Sequence, residues 1–294
     1  MSKNIHLLVI DPQNSFCKVV DPSLQQVLHD GELCVTGAWE DMAVRLPVMI
    51  DRLGKKLDDL HVTLDSHHSL HVAHPGWYRD SSGNQPAPYT FMRAENGSII
   101  GSTIDAQGNK HDIGEFTCVK PSVTKRTLAY LTDLQASGRY PHIVWPMHCL
   151  IGTPGHNVVA PLMEAMQNWC RLKGDGVIDF VTKGSNPFVE HFSAVRAEVV
   201  DPNDHSTDIN KHFITTVNEA DIILLAGEAL SHCLANTVRD MANFFPGSDE
   251  FIKKCVLLTD ATSSVPGFES FGDNFITDMT ARGMKTSTTV DFLA

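Results

Sequence analysis

Cys233 is the residue whose position promises the most chemistry. The run Asp221-Ile-Ile-Leu-Leu-Ala226 is apolar, too short for a helix and closed by Gly227, so it reads as a buried parallel strand. After a short turn, Leu234, Val238 and Met241 recur at helical spacing, which predicts a helix starting near Cys233. A helix N-terminus stabilises a thiolate through its free N–H groups and dipole, so a cysteine there is expected to be acidic and nucleophilic. Against this, most free cysteines are small buried apolar residues. What decides between the two is which other side chains reach the same point.

Four further strand ends supply candidates. Asp11 follows Ile5–Ile10, Asp65 and His67 follow the strand that starts at His61, His148 follows 142–146, and Lys183 follows 176–182. Ligands of open α/β sheets bind beyond the carboxyl ends of the strands, so these residues are expected at one edge. One such Asp is ordinary, because it often caps a helix. Five consecutive strand ends carrying complementary types are not ordinary.

The residues divide into two groups. Asp65-x-His67 with His148 offers one carboxylate and two imidazoles, a donor set suited to Zn²⁺, Fe²⁺ or Mn²⁺ with open positions left over. Taken alone, four histidines among residues 67–74 equally describe a solvated loop, and either His71 or His74 would serve as a further ligand. The second group is Asp11, Lys183 and Cys233: a thiolate to attack a carbonyl, a carboxylate to manage the proton and an ammonium to steady negative charge. The ordinary readings are an exposed lysine and a turn aspartate before Pro12-Gln13.

The elements that position these residues alternate. Met42, Leu46, Met49, Ile50 and Leu53 predict a crossover helix within 37–58, and further helices are expected over 158–172 and 267–282. A sixth strand spans 254–259, and 286–289 is a short extended tail. This pattern predicts a three-layer α/β fold, a six-stranded parallel sheet with helices on both faces. Residues 1–294 are expected to form one domain. Within it, 76–141 reads as an insertion, a lid or a subunit contact in a homo-oligomer, with no clean period over 76–112 and a helix over 122–137.

A formal charge of −12 with no Lys/Arg cluster argues against nucleic acid and anionic membrane as partners, and the apolar runs are too short to span a bilayer. The first residues read as a strand, not a signal peptide, and seven irregularly spaced cysteines with no CxxC pair imply reduced thiols in a cytoplasmic setting. The expected partner is a small-molecule substrate bound at the carboxyl edge of the sheet.

The motifs together resemble the nicotinamidase/pyrazinamidase branch of the isochorismatase-like cysteine hydrolases. The matching pieces are Asp11-Pro-Gln-Asn-Ser-Phe16, Asp65-Ser-His67, Trp145-Pro-Met-His148-Cys149 with Gly152-Thr-Pro-Gly155, Lys183-Gly184, and Gly227 to Thr237 around Cys233. The resemblance implies deamidation of nicotinamide to nicotinate and ammonia, in the service of NAD salvage, through a thioester on Cys233. It implies Asp11 as general base and acid, Lys183 as their charged partner, and Asp65, His67 and His148 as holders of one divalent metal, zinc first among the choices. Phe16 and Trp145 would sandwich the ring. The N–H groups of Ala229 and Cys233 would form an oxyanion hole beside a cis Glu228–Ala229 peptide. Residues 76–141 and 200–220 fall outside the resemblance. The rivals are a hydrolase of the same fold acting on another small amide or carbamoyl group, and a non-catalytic metal- or ligand-binding relative.

Overall fold

The computed structural model describes residues 3–21, 23, 26–29, 31–105, 107–247 and 249–294. Its centre is a six-stranded parallel sheet in the order Ile178–Lys183, Asp59–Asp65, Ile5–Ile10, Ile222–Gly227, Cys255–Leu258, Lys285–Ser287. Ile5–Ile10 is buried along its whole length because both faces of a central parallel strand are covered. Leu7 and Val9 pack with Met49, Ile50, Leu162, Met166 and Trp169 beneath the helices Leu46–Leu53 and Ala160–Lys173. Leu8 and Ile10 point the other way, into Phe213, Val217, Val238 and Phe275 from the helices Lys211–Asn218, Ala235–Phe244 and Glu269–Ala281. Each fully buried aliphatic side chain contributes roughly 1.5–3 kcal/mol, so these two faces hold the layers together.

The strand count agrees with expectation, but its membership does not. The 142–146 segment was expected in the parallel sheet; His142–Val144 instead pairs antiparallel with Thr90–Glu95 at the edge of a second, five-stranded sheet. That sheet continues through Ser98–Ile104 and Lys110–Cys118 to Tyr78–Arg79. It has its own core of Trp77, Tyr78, Met92, Phe116, Tyr130 and Leu131 beneath the helix Thr124–Ser137. The vacant place in the parallel sheet is taken by Lys285–Ser287, three polar residues that overlap the start of the stretch read as a tail. Among the described residues no helix is long and apolar enough to cross a membrane.

Candidate active site

Pairing register builds the first half of the site. Lys183 is the last residue of its strand and sits directly opposite Asp65, so the two side chains emerge together at the carboxyl edge. The Lys183 Nζ lies 3.0 Å from Asp11 Oδ2, 3.0 Å from Asp65 Oδ1 and 3.6 Å from Cys233 Sγ, and it donates to His191 O at 3.1 Å. Asp11 leaves its strand at φ 44°, a left-handed conformation that aspartate tolerates better than most side chains. Thr63 fixes it there: its Oγ1 donates to Asp11 Oδ1 at 2.6 Å, and its carbonyl accepts from the Asp11 N–H at 3.1 Å. Gln13 clamps the neighbouring strand end, donating to Asp65 O and accepting from Asp65 N, both at 2.8 Å.

Cys233 arrives over Gly227, which has φ 112° and where an added Cβ would lie 2.0 Å from Ile10 O. Only glycine lets the two central strands end so close together. The Glu228–Ala229 peptide is cis, as the resemblance implied. The helical path then begins at Leu230 with a π turn, Leu230–Leu234, so Cys233 lies inside that turn rather than at a first helical residue.

This placement corrects one expectation. Cys233 is not an acidic thiolate at rest: burial, reinforced by the Asp11 and Asp65 carboxylates, pushes its thiol well up against the opposing pull of Lys183. Burial also raises the Asp11 carboxyl, although Lys183 draws it down. Burial alone would neutralise Lys183, but Asp11 and Asp65 outweigh it and hold the ammonium well above its usual range. Asp65, which burial would raise, is held well below the carboxylate range by His67, Lys183 and His148. The resting arrangement is therefore a thiol beside a carboxylate of raised basicity, with a fixed cation between two acids.

The imidazoles form the second half. The His67 Nδ1 lies 3.2 Å from Gly184 O and the His148 Nδ1 lies 2.8 Å from Pro146 O, so each ring donates from Nδ1 to a carbonyl. That leaves Nε2 as a bare lone pair, and both Nε2 atoms face Asp65 Oδ2, at 3.0 and 3.2 Å. Lone pairs against a carboxylate oxygen repel unless a proton or a cation lies among them. Without a cation the conflict is met by protonation, since Asp65 raises His67 in spite of burial. The donor set thus suits a divalent ion. His74 belongs with it: both its ring nitrogens are buried without a partner, and its ligand atom lies within 4.8 Å of those of His67 and His148. His71 does not, because its Nδ1 accepts from the Ala73 N–H at 3.1 Å and the proton therefore sits on Nε2. Gly184 keeps the space clear, since a Cβ there would lie 2.8 Å from Asp65 Oδ1.

All six residues named in the two groups are buried and brought together. Phe16, Trp145 and Ala229 line the cavity above them with Asp65, His148 and Cys233. It is tight, with about 30 Å³ of room for the centre of a water molecule. A wider surface hollow of about 730 Å³ beside Met163 and Phe180 includes none of the six, so size and chemistry part company here. Sequence reasoning missed Glu190, Phe192 and His232 on the cavity wall, and Thr63 and Gln13 behind it. Of these only Gln13 carried a signal, its place in the Asp-Pro-Gln turn.

The parallel sheet with two helical faces is the isochorismatase-like α/β fold, and the solved structures similar to it include nicotinamidases and pyrazinamidases. The yeast nicotinamidase bound to the inhibitor nicotinaldehyde is similar at a TM-score of 0.59 and 19% identity, over 97% of this chain and 99% of that one. A nicotinamidase/pyrazinamidase of Acinetobacter baumanii gives a TM-score of 0.54 at 17% identity, over 98% of each chain. The pyrazinamidase of Pyrococcus horikoshii in complex with zinc gives 0.50 at 17%, over 97% of this chain and 99% of that one. No family model matches the chain, and no curated protein does. At these identities the likeness establishes a nicotinamidase-like fold.

Proposed function

We propose that the chain deamidates nicotinamide to nicotinate and ammonia, and pyrazinamide likewise, through a thioester on Cys233. One observation carries the reading: a buried ammonium within 3.0 Å of two carboxylates and 3.6 Å of a thiol, beside imidazoles that converge on one of those carboxylates. The likeness in fold to enzymes solved with nicotinaldehyde and with zinc adds to it.

In this reading Cys233 Sγ attacks the amide carbon while Asp11 takes the thiol proton, which the raised thiol pKa keeps on sulfur until the S–C bond forms. Asp11 gives that proton to the departing amine, releasing ammonia and leaving the thioester. Water then attacks the thioester, Asp11 takes its proton, and the proton returns to sulfur as the acid leaves. Lys183 keeps Asp11 ionised between transfers. The N–H groups of Ala229 and Cys233 receive the oxyanion, and one such donor is worth ~10²–10³ in rate. Asp65, His67, His148 and His74 would hold a divalent ion, zinc by their chemistry, with iron or manganese as alternatives. Bound there, the ion supplies a Lewis-acid anchor that orients the pyridine ring. Phe16 and Trp145 confine the ring from the cavity wall.

The same reading takes 1–294 as one hydrolase domain acting in cytoplasmic NAD salvage. Residues 76–141 are then a segment set into it as a lid or as the contact of a homo-oligomer. A second reading, hydrolysis of another small amide, is favoured by Glu190, whose carboxyl burial raises toward the neutral, hydrogen-bond-donating form on the cavity wall. Ammonia release from nicotinamide, pyrazinamide, benzamide and carbamoyl compounds separates the two. Turnover of the first two alone is expected. Equal turnover of benzamide would remove the ring-nitrogen anchor, and no ammonia from any amide would leave only a binding protein.

A further inference from the structure

The strand that ends in Asp65-Ser-His67 begins with the same pattern, Asp59-Leu-His61. Its register sets Asp59 opposite His6 on one neighbouring strand, and His61 opposite Asp179 on the other. Residues two apart share a sheet face, so the four side chains meet at the amino edge. Asp65 lies four residue steps along the strand from His61, roughly 13 Å at ~3.3 Å per residue, so this is a place apart from the cavity.

The geometry there is that of a metal centre in outline. His61 Nε2 and His6 Nδ1 are 3.0 Å apart, and the ligand atoms of His6, His61 and Asp59 all lie within 4.8 Å of one another. Two nitrogens at ~2.0–2.1 Å from a tetrahedral zinc stand about 3.3 Å apart, within a few tenths of an ångström of that separation. The outer face of His61 is also arranged: its Nδ1 lies 2.9 Å from Asp179 Oδ2. A carboxylate there keeps the proton on Nδ1, so Nε2 is a lone pair, and it strengthens the ring as a ligand. His6 needs only to carry its proton on Nε2 instead of Nδ1 for a second lone pair to face the same point, and no proton need be released.

Both imidazoles are buried, whereas Asp59 is partly exposed and the Asp179 side chain is 42% exposed, which leaves an entry from solvent. Asp59, Asp58 and Glu219 place negative charge around His6. Asp58 is engaged by Lys173 at 3.2 Å, so Asp59 is the carboxylate left to ligate.

We propose that His6, His61 and Asp59 form a second site for a borderline divalent cation, zinc by donor type, with Asp179 as the outer carboxylate on His61. Nothing in the deamidation uses it. A cation there would tie together the amino ends of the two strands that carry Asp11 and Asp65.

The test is zinc content per chain after equilibration with Zn²⁺ and removal of free ion, on untagged full-length protein. The wild type is expected to keep two equivalents. His6→Gln and Asp59→Asn should each keep one, with nicotinamide turnover unchanged, and His74→Ala should lose the other. Asp179→Asn should keep the second zinc about 10–100-fold more weakly. Asp59 is partly exposed, so its variant guards against misfolding of the His6 variant, and circular dichroism checks both. Zinc retained in full by both His6→Gln and Asp59→Asn would overturn the proposal, whatever the cavity binds. Loss in those variants alone would support it even if the cavity held none.

Discussion

Replacing Lys183 by methionine keeps most of the stem and removes the charge between two buried acids. Its side chain is 1% exposed, and those of Asp11 and Asp65 are 0% and 5% exposed. At an effective dielectric of ~20, each 3.0 Å contact is worth about 5 kcal/mol before desolvation is subtracted. Desolvation removes much of that, and loss of one partner from a buried pair costs about 3–5 kcal/mol net. The sign of the pH dependence follows from each group. Lys183 has a raised folded pKa, so its contribution holds below the unfolded value and is lost only as pH climbs through the folded one, outside the working range. Asp65 has a depressed one, so its contribution holds above the unfolded value and is lost as pH falls. Without Lys183, Asp65 is depressed less and Asp11 rises further; a carboxyl with raised pKa loses stability as pH climbs. Urea unfolding of metal-free protein at about pH 5 and about pH 8 should therefore show a small deficit in acid and the full ~3–5 kcal/mol at the higher pH. An equal deficit at both, or less than about 1 kcal/mol at the higher pH, would refute the buried charge network.

Four other outcomes are expected. Cys233→Ala should release no ammonia while keeping its zinc; turnover in that variant removes the nucleophile. Asp11→Asn should lower kcat about 10²–10⁴-fold, and a smaller loss would assign the proton to another group. His74→Ala should bind metal at least ~10-fold more weakly while His71→Ala does not, by metal titration of each; the reverse order would sink the tautomer argument. Burial pushes the Glu198 carboxyl up to about 7 although Arg139 draws it down, so its stability contribution, full below about 4.5, is lost as pH rises toward 7. That amounts to about 3 kcal/mol by linkage, and Glu198→Gln should flatten the pH profile of urea midpoints, with parallel profiles as the refuting result.

How much of this was legible depends on what kind of signal each part leaves. Apart from His6, Ile5–Ile10 and Ile222–Gly227 are apolar on both faces, and a run of that kind has few other uses. The second sheet left no such trace. Of Lys110–Cys118 only Phe116 and Cys118 are buried, and the pairing with Ser98–Ile104 shifts register at Gly101/Ser102, so alternation never settles. Lys285–Ser287 is polar and short; it is a strand only because Cys255–Leu258 offers an edge. Pairing of that kind is a fact about the neighbour, not about the residues themselves.

The placing of His148 shows why the site survived an error in the scaffold. The strand leading to it was assigned to the wrong sheet, yet His148 still meets Asp65 at 3.2 Å. Its approach is set locally, by the ring's bond to Pro146 O and by the bridge between His67 and Leu150, which ties the two ligand turns together. A short polar turn can dock on the sheet edge whichever sheet feeds it. The state of Cys233 is the opposite case. Its neighbours in sequence pointed to an acidic thiol, but the thiol is pushed up first by a burial that no local pattern encodes, against the pull of Lys183, with Asp11 and Asp65, 222 and 168 residues away in the chain, adding to it. Residue type and turn position could be read from the letters, whereas the electrostatics of the meeting point required the fold.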